Sequence, residues 1–264
     1  MNKIQIIHIC GDWHGQWDYV NSFINKHIRE SKTLRELYNQ YDEVEVLILQ
    51  VGDFGFWPHY HMTKNFTGKS LWNQYGIKNK VEGLKDNYVK IYWCGGNHEN
   101  WDTLDELENT HPVGEFIEIM PQVHYAPFGS LLKLLDGTTI MFCGGADSID
   151  KRQRIAGDTW WPQEVITYKD MLKLPDPKQI KVDWIISHTC PTSFDLSKLG
   201  FNNKGNDPSH KNLEWILNNF RPSKWWFGHY HQYMTSTYKD CQWMMLDRID
   251  NFYGKKWCHT ISIK

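Results

Sequence analysis

The chain has 264 residues, and its 29 lysines and arginines against 31 aspartates and glutamates give a formal net charge of −2 at pH 7. This balance argues against a strongly electrostatic nucleic-acid or membrane binder. A composition of 41% hydrophobic and 23% charged residues argues against a disordered chain. The first apolar stretch, residues 4–10, stops at Gly11-Asp12 and does not form a signal peptide. We therefore expect a cytoplasmic globular protein with a single domain, 1–264, and no membrane partner.

Short apolar runs rich in valine, isoleucine and aromatic residues punctuate the chain, and each ends at glycine or histidine. Such runs are typical of buried strands. They are residues 4–10, 44–51, 89–94, 182–187 and 225–227. Between the first two, apolar residues recur at helical spacing from Trp17 to Tyr38, and residues 99–109 and 162–172 also favour helices. Alternating strands and helices predict an α/β sheet with covered faces.

The second half of the chain contains patterns of antiparallel structure. Residues 131–135 and 138–142 flank Asp136-Gly137, which predicts a hairpin on a tight turn. The tail, residues 233–263, reads as a further meander that turns near Lys239-Asp240. These elements predict a mixed sheet or two stacked sheets.

Polar side chains follow all five predicted strands at the point where each strand ends. They are Asp12, His14, Asp53, Asn97, His188, His229 and His231. Because ligands bind at the carboxyl ends of strands in open α/β sheets, we expect these side chains to form one site. Seven nitrogen and oxygen donors are too many for one tetrahedral zinc ion, which needs four. They suit two metal ions that share one carboxylate.

The donor types also narrow the identity of the metals. Imidazole, carboxylate and amide ligands without thiolates favour manganese, with iron, zinc or nickel as alternatives. Two such divalent ions about 3.5–4 Å apart activate a bridging hydroxide and clamp the oxygens of a phosphoryl group during in-line displacement. The sequence therefore points to phosphoester chemistry.

Five motif blocks carry a resemblance to a known family. The blocks are Gly11-Asp12-x-His14-Gly15, Gly52-Asp53, Gly96-Asn97-His98-Glu99, His188 and Gly228-His229-x-His231. In this order they resemble the motifs of the calcineurin-like metallophosphoesterase superfamily. The resemblance implies a four-layer α/β/β/α sandwich, in which two mixed sheets are flanked by helices. It also implies a dinuclear hydrolase that cleaves phosphoester bonds by attack of a metal-bridging hydroxide.

The same resemblance implies a role for each donor. The first ion would be held by Asp12, His14 and His231, and the second by Asn97, His188 and His229, with Asp53 as the bridge. We therefore count Asp53 as catalytic, together with His98. The resemblance places His98 and Asn97 against the phosphate and makes His98 the proton donor to the leaving oxygen. An ionisable histidine beside a phosphoryl site independently suits general-acid catalysis near neutral pH.

The chain departs from the protein Ser/Thr phosphatase branch of the superfamily. That branch continues its second block as Gly-Asp-x-x-Asp-Arg-Gly, whereas this chain has Phe56 and Trp57 at the positions of the second acid and the arginine. It also lacks the arginine before Gly-Asn-His-Glu, where Gly95 stands. The acid that would orient His98 and both phosphate-binding arginines are therefore missing, which argues against a phosphoprotein phosphatase of that branch.

Three long loops should lie at the same edge of the fold as the donors. They are residues 58–80, 147–164 and 192–211. The second carries Arg152 and Arg154, whose guanidinium groups could bind the phosphate that the usual arginines would otherwise hold. The alternative for this pair is a solvated surface run.

Three functional hypotheses remain open on the sequence alone. The leading one is a phosphomonoesterase (a phosphatase) acting on a phosphorylated substrate of unknown identity. The second is a phosphodiesterase on cyclic nucleotides or nucleic-acid ends, although the balanced charge does not favour nucleic acid. The third, from a different class, is a catalytically silent protein-binding scaffold, which the complete donor set disfavours. The sequence assigns neither the substrate nor the oligomeric state.

Overall fold

A computed structural model describes residues 2–24, 26, 31–56, 89–120, 122–203, 205, 207–251 and 256–264. Its strands are β1 (Lys3–Cys10), β2 (Glu43–Gln50), β3 (Val89–Trp93), β4 (Ile117–Met120), β5 (Val123–Tyr125), β6 (Leu131–Lys133), β7 (Thr139–Cys143), β8 (Trp184–Ser187), β9 (Lys224–Phe227), β10 (Met234–Tyr238), β11 (Cys241–Met245) and β12 (Cys258–Ile263). Its α-helices are α1 (Trp17–Ile24), α2 (Lys32–Gln40), α3 (Trp101–Asn109), α4 (Tyr168–Met171) and α5 (Pro208–Phe220). Short 3₁₀ turns cover Lys151–Gln153, Pro162–Glu164 and Ser197–Leu199.

The described strands form two six-stranded mixed sheets built on the same plan. The first has the order β12-β1-β2-β3-β5-β4, and the second has the order β10-β11-β9-β8-β7-β6. In each sheet four central strands run parallel and one antiparallel strand closes each edge. The parallel strands of both sheets therefore deliver their carboxyl ends to loops that can share one site.

Three hydrophobic clusters separate four layers. Alternate residues of β1 face opposite sides, so that Ile4 and Ile6 pack with the helices α1, α2 and α3 while Ile7 and Ile9 pack between the two sheets. The middle cluster joins Leu47 and Leu49 of the first sheet to Phe142 and Ile186 of the second. On the outer face of the second sheet, α5 contributes Leu213, Ile216, Leu217 and Phe220. The expected four-layer α/β/β/α sandwich is thus confirmed.

Local sequence explains where the helices begin. Ser31 accepts a hydrogen bond from the backbone N–H of Leu34 at the start of α2, and Asn100 does the same for Thr103 at the start of α3. Asp207 accepts from the N–H of Ser209, and Pro208 fills the first position of α5. These caps fix the points at which the chain leaves the loops around the strand ends.

The structure corrects three predicted elements. Residues 162–172 form no continuous helix: extended backbone at Val165 and Thr167 separates a 3₁₀ turn from α4, because Thr167 and Asp170 start a new helix with a capping box. The tail is not one meander, since β10 and β11 join the second sheet while β12 pairs with β1 in the first. Within the predicted loop 192–211, α5 already begins at Pro208.

One further prediction, the hairpin, is confirmed, and two strands were not predicted. The predicted hairpin is confirmed as β6 and β7, with Gly137 at a φ of 88° in the turn. Strands β4 and β5 were not predicted. The predicted loop 58–80 and Trp57 lie outside the described residues. Of the helices in the described part of the chain, none has the length and apolar character needed to span a membrane.

Candidate metal centre

The two sheets bring the seven predicted donors together at one edge. Asp12 and His14 follow β1, Asp53 follows β2, and Asn97 follows β3 in the first sheet. In the second sheet His188 follows β8, and His229 and His231 follow β9. The site therefore lies where strand ends from both sheets meet, and it depends on the packing of one sheet against the other.

One group of donors consists of Asp12, His14, Asp53 and His231. One potential ligand atom from each of these four lies within 4.8 Å of those from the others. The Nε2 atoms of His14 and His231 are 2.9 Å apart, and His231 Nε2 is 3.4 Å from Asp12 Oδ2. Four mixed oxygen and nitrogen donors at this spacing can hold one divalent ion.

A second group forms around the amide oxygen of Asn97. Asn97 Oδ1 lies 3.0 Å from His188 Nε2 and 2.9 Å from His229 Nδ1. His188 donates its Nδ1–H to the carbonyl oxygen of Val51 at 3.0 Å, so Nε2 is the ring nitrogen that faces Asn97 and the site. This group can hold a second ion.

Asp53 stands between the two groups. Its Oδ2 is 3.3 Å from His14 Nε2, and its Oδ1 is 3.4 Å from His188 Nε2. The side chain is buried, and although burial opposes ionisation, His188, His98 and His14 hold the pKa of Asp53 well below its usual range. Asp53 is therefore a carboxylate whose two oxygens face opposite donor groups, as a bridging ligand requires.

The residues present fit two divalent ions. Two buried carboxylates, Asp12 and Asp53, supply negative charge that a cation would compensate. Burial lowers the pKa of His14 and of His229, so both imidazoles are neutral and keep a nitrogen lone pair for a metal. For His188 burial acts in the same direction, but the Asp53 carboxylate overrides it and raises the pKa to about 9.

The backbone around the donors is bent into conformations that ordinary residues rarely adopt. His14, Asp53, His229 and His231 have positive φ angles of 45°, 53°, 70° and 49°. Each such residue costs of order 1–3 kcal/mol and persists only where the surrounding structure enforces it. Glycines also permit close approach here, because a Cβ on Gly228 would overlap Asp12 Oδ1 and a Cβ on Gly96 would overlap Asp53 Oδ1.

His98 lies beside this centre with an unexpected partner. Its backbone N–H donates to Asp53 Oδ1 at 2.9 Å, while its ring Nε2 accepts from Arg154 Nη2 at 2.8 Å. Burial lowers the pKa of His98 to about 4; Asp53 opposes that effect, and His14 and Arg154 add to it. His98 is therefore a neutral hydrogen-bond acceptor at pH 7 in this arrangement.

Arg154 is fixed by several contacts, and Arg152 is not. The Arg154 guanidinium pairs with Asp150 Oδ1 at 2.8 Å and donates from Nη1 to the carbonyl oxygen of Asn97 at 3.1 Å. Its side chain is 10% exposed. Arg152 lies on the same 3₁₀ turn with its side chain exposed to solvent. The structure thus brings Arg154 to His98 and leaves Arg152 outside that contact.

The structure also explains the departures from the phosphatase-branch motif. Phe56 is buried and packs on Trp93 with ring centroids 5.9 Å apart, so this position belongs to the core. At Gly95 a Cβ would come within 2.7 Å of the Trp101 ring, which leaves no room for an arginine side chain. Arg154, supplied by a different loop, contacts the histidine that the missing acid would orient.

Two residues that the sequence analysis missed hold Asn97. The Asn97 amide Nδ2 donates to Ser148 Oγ at 2.9 Å, and the Ser148 backbone N–H donates to Glu164 Oε1 at 2.7 Å. Ser148 and Glu164 are buried. Another missed residue is Glu99, which accepts from the backbone N–H groups of Gly55 and Gly96 and so ties the second motif block to the third. For Ser148 no local sequence pattern gives the signal, because the contact spans 51 residues.

The centre opens into a cavity of about 760 Å³. Its described lining includes Asp53, Asn97, His98, Arg154 and His231. Four of the donors and the Arg154–His98 pair therefore face one common space, which is large enough for a small organic phosphate.

A family model described as calcineurin-like phosphoesterase matches residues 6–233. The chain belongs to this family. Membership confirms the resemblance carried by the five motif blocks, and the described residues contain a candidate Asp/His metal-binding cluster. The match spans every one of the seven donors.

Solved structures support the fold of this phosphoesterase. It aligns with a candidate 5′-nucleotidase from Staphylococcus aureus, solved with α-ketoglutarate, at a TM-score of 0.50 and 13% identity over 99% of this chain. It spans about half of that protein, 51% of its length. It also aligns with TT1561 of Thermus thermophilus at a TM-score of 0.51 and 9% identity, covering 93% of this chain and 90% of the other.

A third structural relative is described as an anchor of a membrane complex rather than by an activity. GAP50, described as the anchor in the inner membrane complex of Plasmodium, aligns at a TM-score of 0.50 and 13% identity over 96% of this phosphoesterase and 74% of GAP50. No curated protein sequence matches the chain significantly. At these identities the structural likeness concerns the fold, and substrate choice must be argued from the residues of this chain.

Proposed function

We propose that this phosphoesterase is a phosphomonoesterase with a dinuclear divalent metal centre, for which manganese is the first choice. The observation that carries the proposal is the Arg154 contact to His98 Nε2 at 2.8 Å inside the metal cavity. A dianionic monoester needs more positive charge than a monoanionic diester, and a guanidinium meets that need with bidentate hydrogen bonds. Arg154 would supply one guanidinium at the site where the phosphatase branch has two arginines, and Asp150 holds it in place.

The bound metal ions and the residues of the chain would have different roles in the reaction. When bound, two divalent ions activate water and neutralise charge on the phosphoryl oxygens. Asp12, His14 and His231 would hold one ion, Asn97, His188 and His229 the other, and Asp53 both. Asn97, through its fixed amide, and Arg154 would orient the phosphoryl group in the cavity.

His98 can act as the proton donor to the leaving oxygen once a bound phosphate has favoured its protonation. A phosphate dianion that engages Arg154 would free His98 Nε2 from the guanidinium. The same dianion would raise the pKa of His98 from its value of about 4, because an adjacent negative charge favours imidazolium. His98 would then deliver a proton from Nε2 to the leaving oxygen.

The test compares p-nitrophenyl phosphate with bis-p-nitrophenyl phosphate, each with a chelator and with added Mn²⁺. We expect metal-dependent hydrolysis with a higher kcat/KM for the monoester. A higher kcat/KM for the diester would replace the proposal with the phosphodiesterase alternative. Turnover of neither ester, with metal bound, would favour a protein-binding scaffold.

A further inference from the structure

The cavity at the metal centre is lined by two chemically different sets of residues. One set consists of metal donors, His98 and Arg154, as described above. The other set consists of Ile149, Phe201, Asp207, His210 and Tyr230. A cavity of about 760 Å³ far exceeds what a phosphoryl group fills, so the second set faces whatever the phosphate is attached to.

An aromatic pair forms the core of this second set. The rings of Phe201 and Tyr230 lie 4.8 Å apart with an interplanar angle of 54°. Tyr230 sits between the donors His229 and His231 in the chain, and its ring centroid is 5.0 Å from that of His229. Its hydroxyl lies 3.1 Å from Thr189 Oγ1, which holds the ring in place. The Tyr230 ring therefore lies beside the metal donors with its hydroxyl held by Thr189, and Phe201 packs against it.

Ile149 adds apolar surface to the same cavity. Its side chain is 98% exposed, although Ile140 and Ile186 of the neighbouring strands are fully buried. An exposed isoleucine in a cavity wall that already contains Phe201 and Tyr230 gains free energy when an apolar group covers it.

The charges around this surface limit what can bind there. Asp147 pairs with Lys151 and Asp150 with Arg154, whereas Asp207 caps α5 and lies 3.6 Å from His210. Among the described residues that line the cavity, Arg154 is the sole lysine or arginine. A second phosphate or a carboxylate on the substrate would meet Asp207, with no lysine or arginine paired with it among the described lining residues.

We infer that Phe201 and Tyr230 form a leaving-group subsite that selects phosphomonoesters whose alcohol carries a flat, uncharged aromatic ring. The ring packs against this aromatic pair and Ile149, while the single phosphate lies at the metal centre. The inference rests on the proposed phosphomonoesterase function and names its substrate class.

The experiment compares 1-naphthyl phosphate with glycerol 2-phosphate in the wild type and in Phe201→Ala, with Mn²⁺ present. Loss of an aromatic contact worth about 0.5–1.5 kcal/mol predicts a roughly 3–10-fold higher KM for the naphthyl ester. The KM for glycerol 2-phosphate should change by less than about twofold. Comparing variants on each substrate removes the intrinsic difference in leaving-group reactivity.

Two controls make the result specific. Phe201→Tyr keeps the ring and should restore the wild-type KM for 1-naphthyl phosphate. Tyr168→Ala removes an aromatic side chain that is 74% exposed and does not line the cavity, so both KM values should stay unchanged. If Phe201→Ala does not fold, inhibition of the wild type by 1-naphthol replaces it, with competitive inhibition expected and no inhibition contradicting the subsite.

The subsite and the phosphomonoesterase activity can be tested separately. Equal KM changes on both esters, or no change on either, would overturn the aromatic subsite while the phosphomonoesterase activity stands. If the metal-loaded wild type hydrolyses neither ester, the proposed function and the subsite are both overturned.

Discussion

Arg154 reaches the metal centre from a loop of the second sheet, and its guanidinium is held by Asp150 on one side and contacts His98 on the other. The neighbouring Arg152 has the same chemistry but an exposed side chain. The two residues carry the same group and differ in their contacts and exposure, so they form a matched pair for testing phosphate binding.

We predict that Arg154→Ala raises the KM for p-nitrophenyl phosphate by about 10–100-fold, because a hydrogen bond to a charged group contributes about 1.5–3 kcal/mol. Steady-state kinetics at saturating Mn²⁺ measure this. Arg152→Ala should leave KM within about twofold. Equal effects of the two substitutions would mean that the Arg154 contacts do not extend to the substrate.

Ser148 makes a second prediction at the residue scale. Without its hydroxyl, the buried Asn97 amide loses the partner that keeps Oδ1 turned toward His188 and His229. We expect Ser148→Ala to weaken Mn²⁺ affinity by about 10–100-fold, as is typical when a partner of a metal ligand is removed. Titration against a chromogenic chelator measures this without reference to turnover.

A matched control for Ser148 lies on the neighbouring segment. Ser130 is also fully buried, and its hydroxyl has no hydrogen-bond partner among the described residues. Ser130→Ala should therefore leave Mn²⁺ affinity unchanged, and Ser148→Thr, which keeps a hydroxyl, should retain most of it. If Ser148→Ala binds Mn²⁺ as tightly as Ser130→Ala, the serine does not orient the amide.

At the scale of elements, the strands that carry the site were predictable and the connections between donors were not. Apolar runs that stop at glycine or histidine marked β1, β2, β3, β8 and β9, and these strands deliver all seven donors. Strands β4 and β5 are four and three residues long, and neither is followed directly by the glycine or histidine that marked the others. The start of α5 carried a readable signal in Asp207 and Pro208.

The backbone angles at the donors and the partners of the donors depend on the fold and could not be predicted from the sequence. The positive φ angles of His14, Asp53, His229 and His231 are uncommon for residues other than glycine, so local preferences do not predict them. Ser148 reaches Asn97, and Arg154 reaches His98, across 51 and 56 residues. No local preference for a turn or strand encodes such distances, so the partners of the donors became visible only in the fold.

The close approach of β9 to β1 yields a prediction at the element scale. Gly228 follows β9, and a Cβ there would overlap the carboxylate of Asp12. We expect Gly228→Ala to abolish tight Mn²⁺ binding, because the strand end must move away from a donor. Gly114→Ala is the control: its φ of 80° makes alanine strained, but no atom lies within 4 Å of the added Cβ. Normal Mn²⁺ affinity in Gly228→Ala would contradict the predicted overlap.

At the scale of the whole molecule, Glu164 links stability to pH. Burial raises the pKa of Glu164 to about 7, against opposing hydrogen bonds from Ser148. Since the folded-state pKa lies above the unfolded value of about 4.3, this group stabilises the fold fully at low pH, and the contribution is lost as pH rises through 7.

We therefore predict that the free energy of unfolding of the wild type, relative to Glu164→Gln, falls by about 2 kcal/mol between pH 5.5 and pH 8. The glutamine keeps an acceptor for the Ser148 N–H but does not titrate. Urea denaturation of both proteins at the two pH values, with a chelator in every sample, measures the difference. A pH-independent difference would show that Glu164 does not titrate in this range.

For the molecule as a whole, we propose that the two sheets assemble two metal sites around one shared carboxylate. Asp53 offers one oxygen to each donor group, 3.3 Å from His14 Nε2 and 3.4 Å from His188 Nε2. The most direct test counts Mn²⁺ per chain in the wild type and in Asp53→Asn while following p-nitrophenyl phosphate hydrolysis. We expect two ions and turnover in the wild type, and the loss of both sites and of turnover in the variant. Two tightly bound ions with full activity in Asp53→Asn would contradict it.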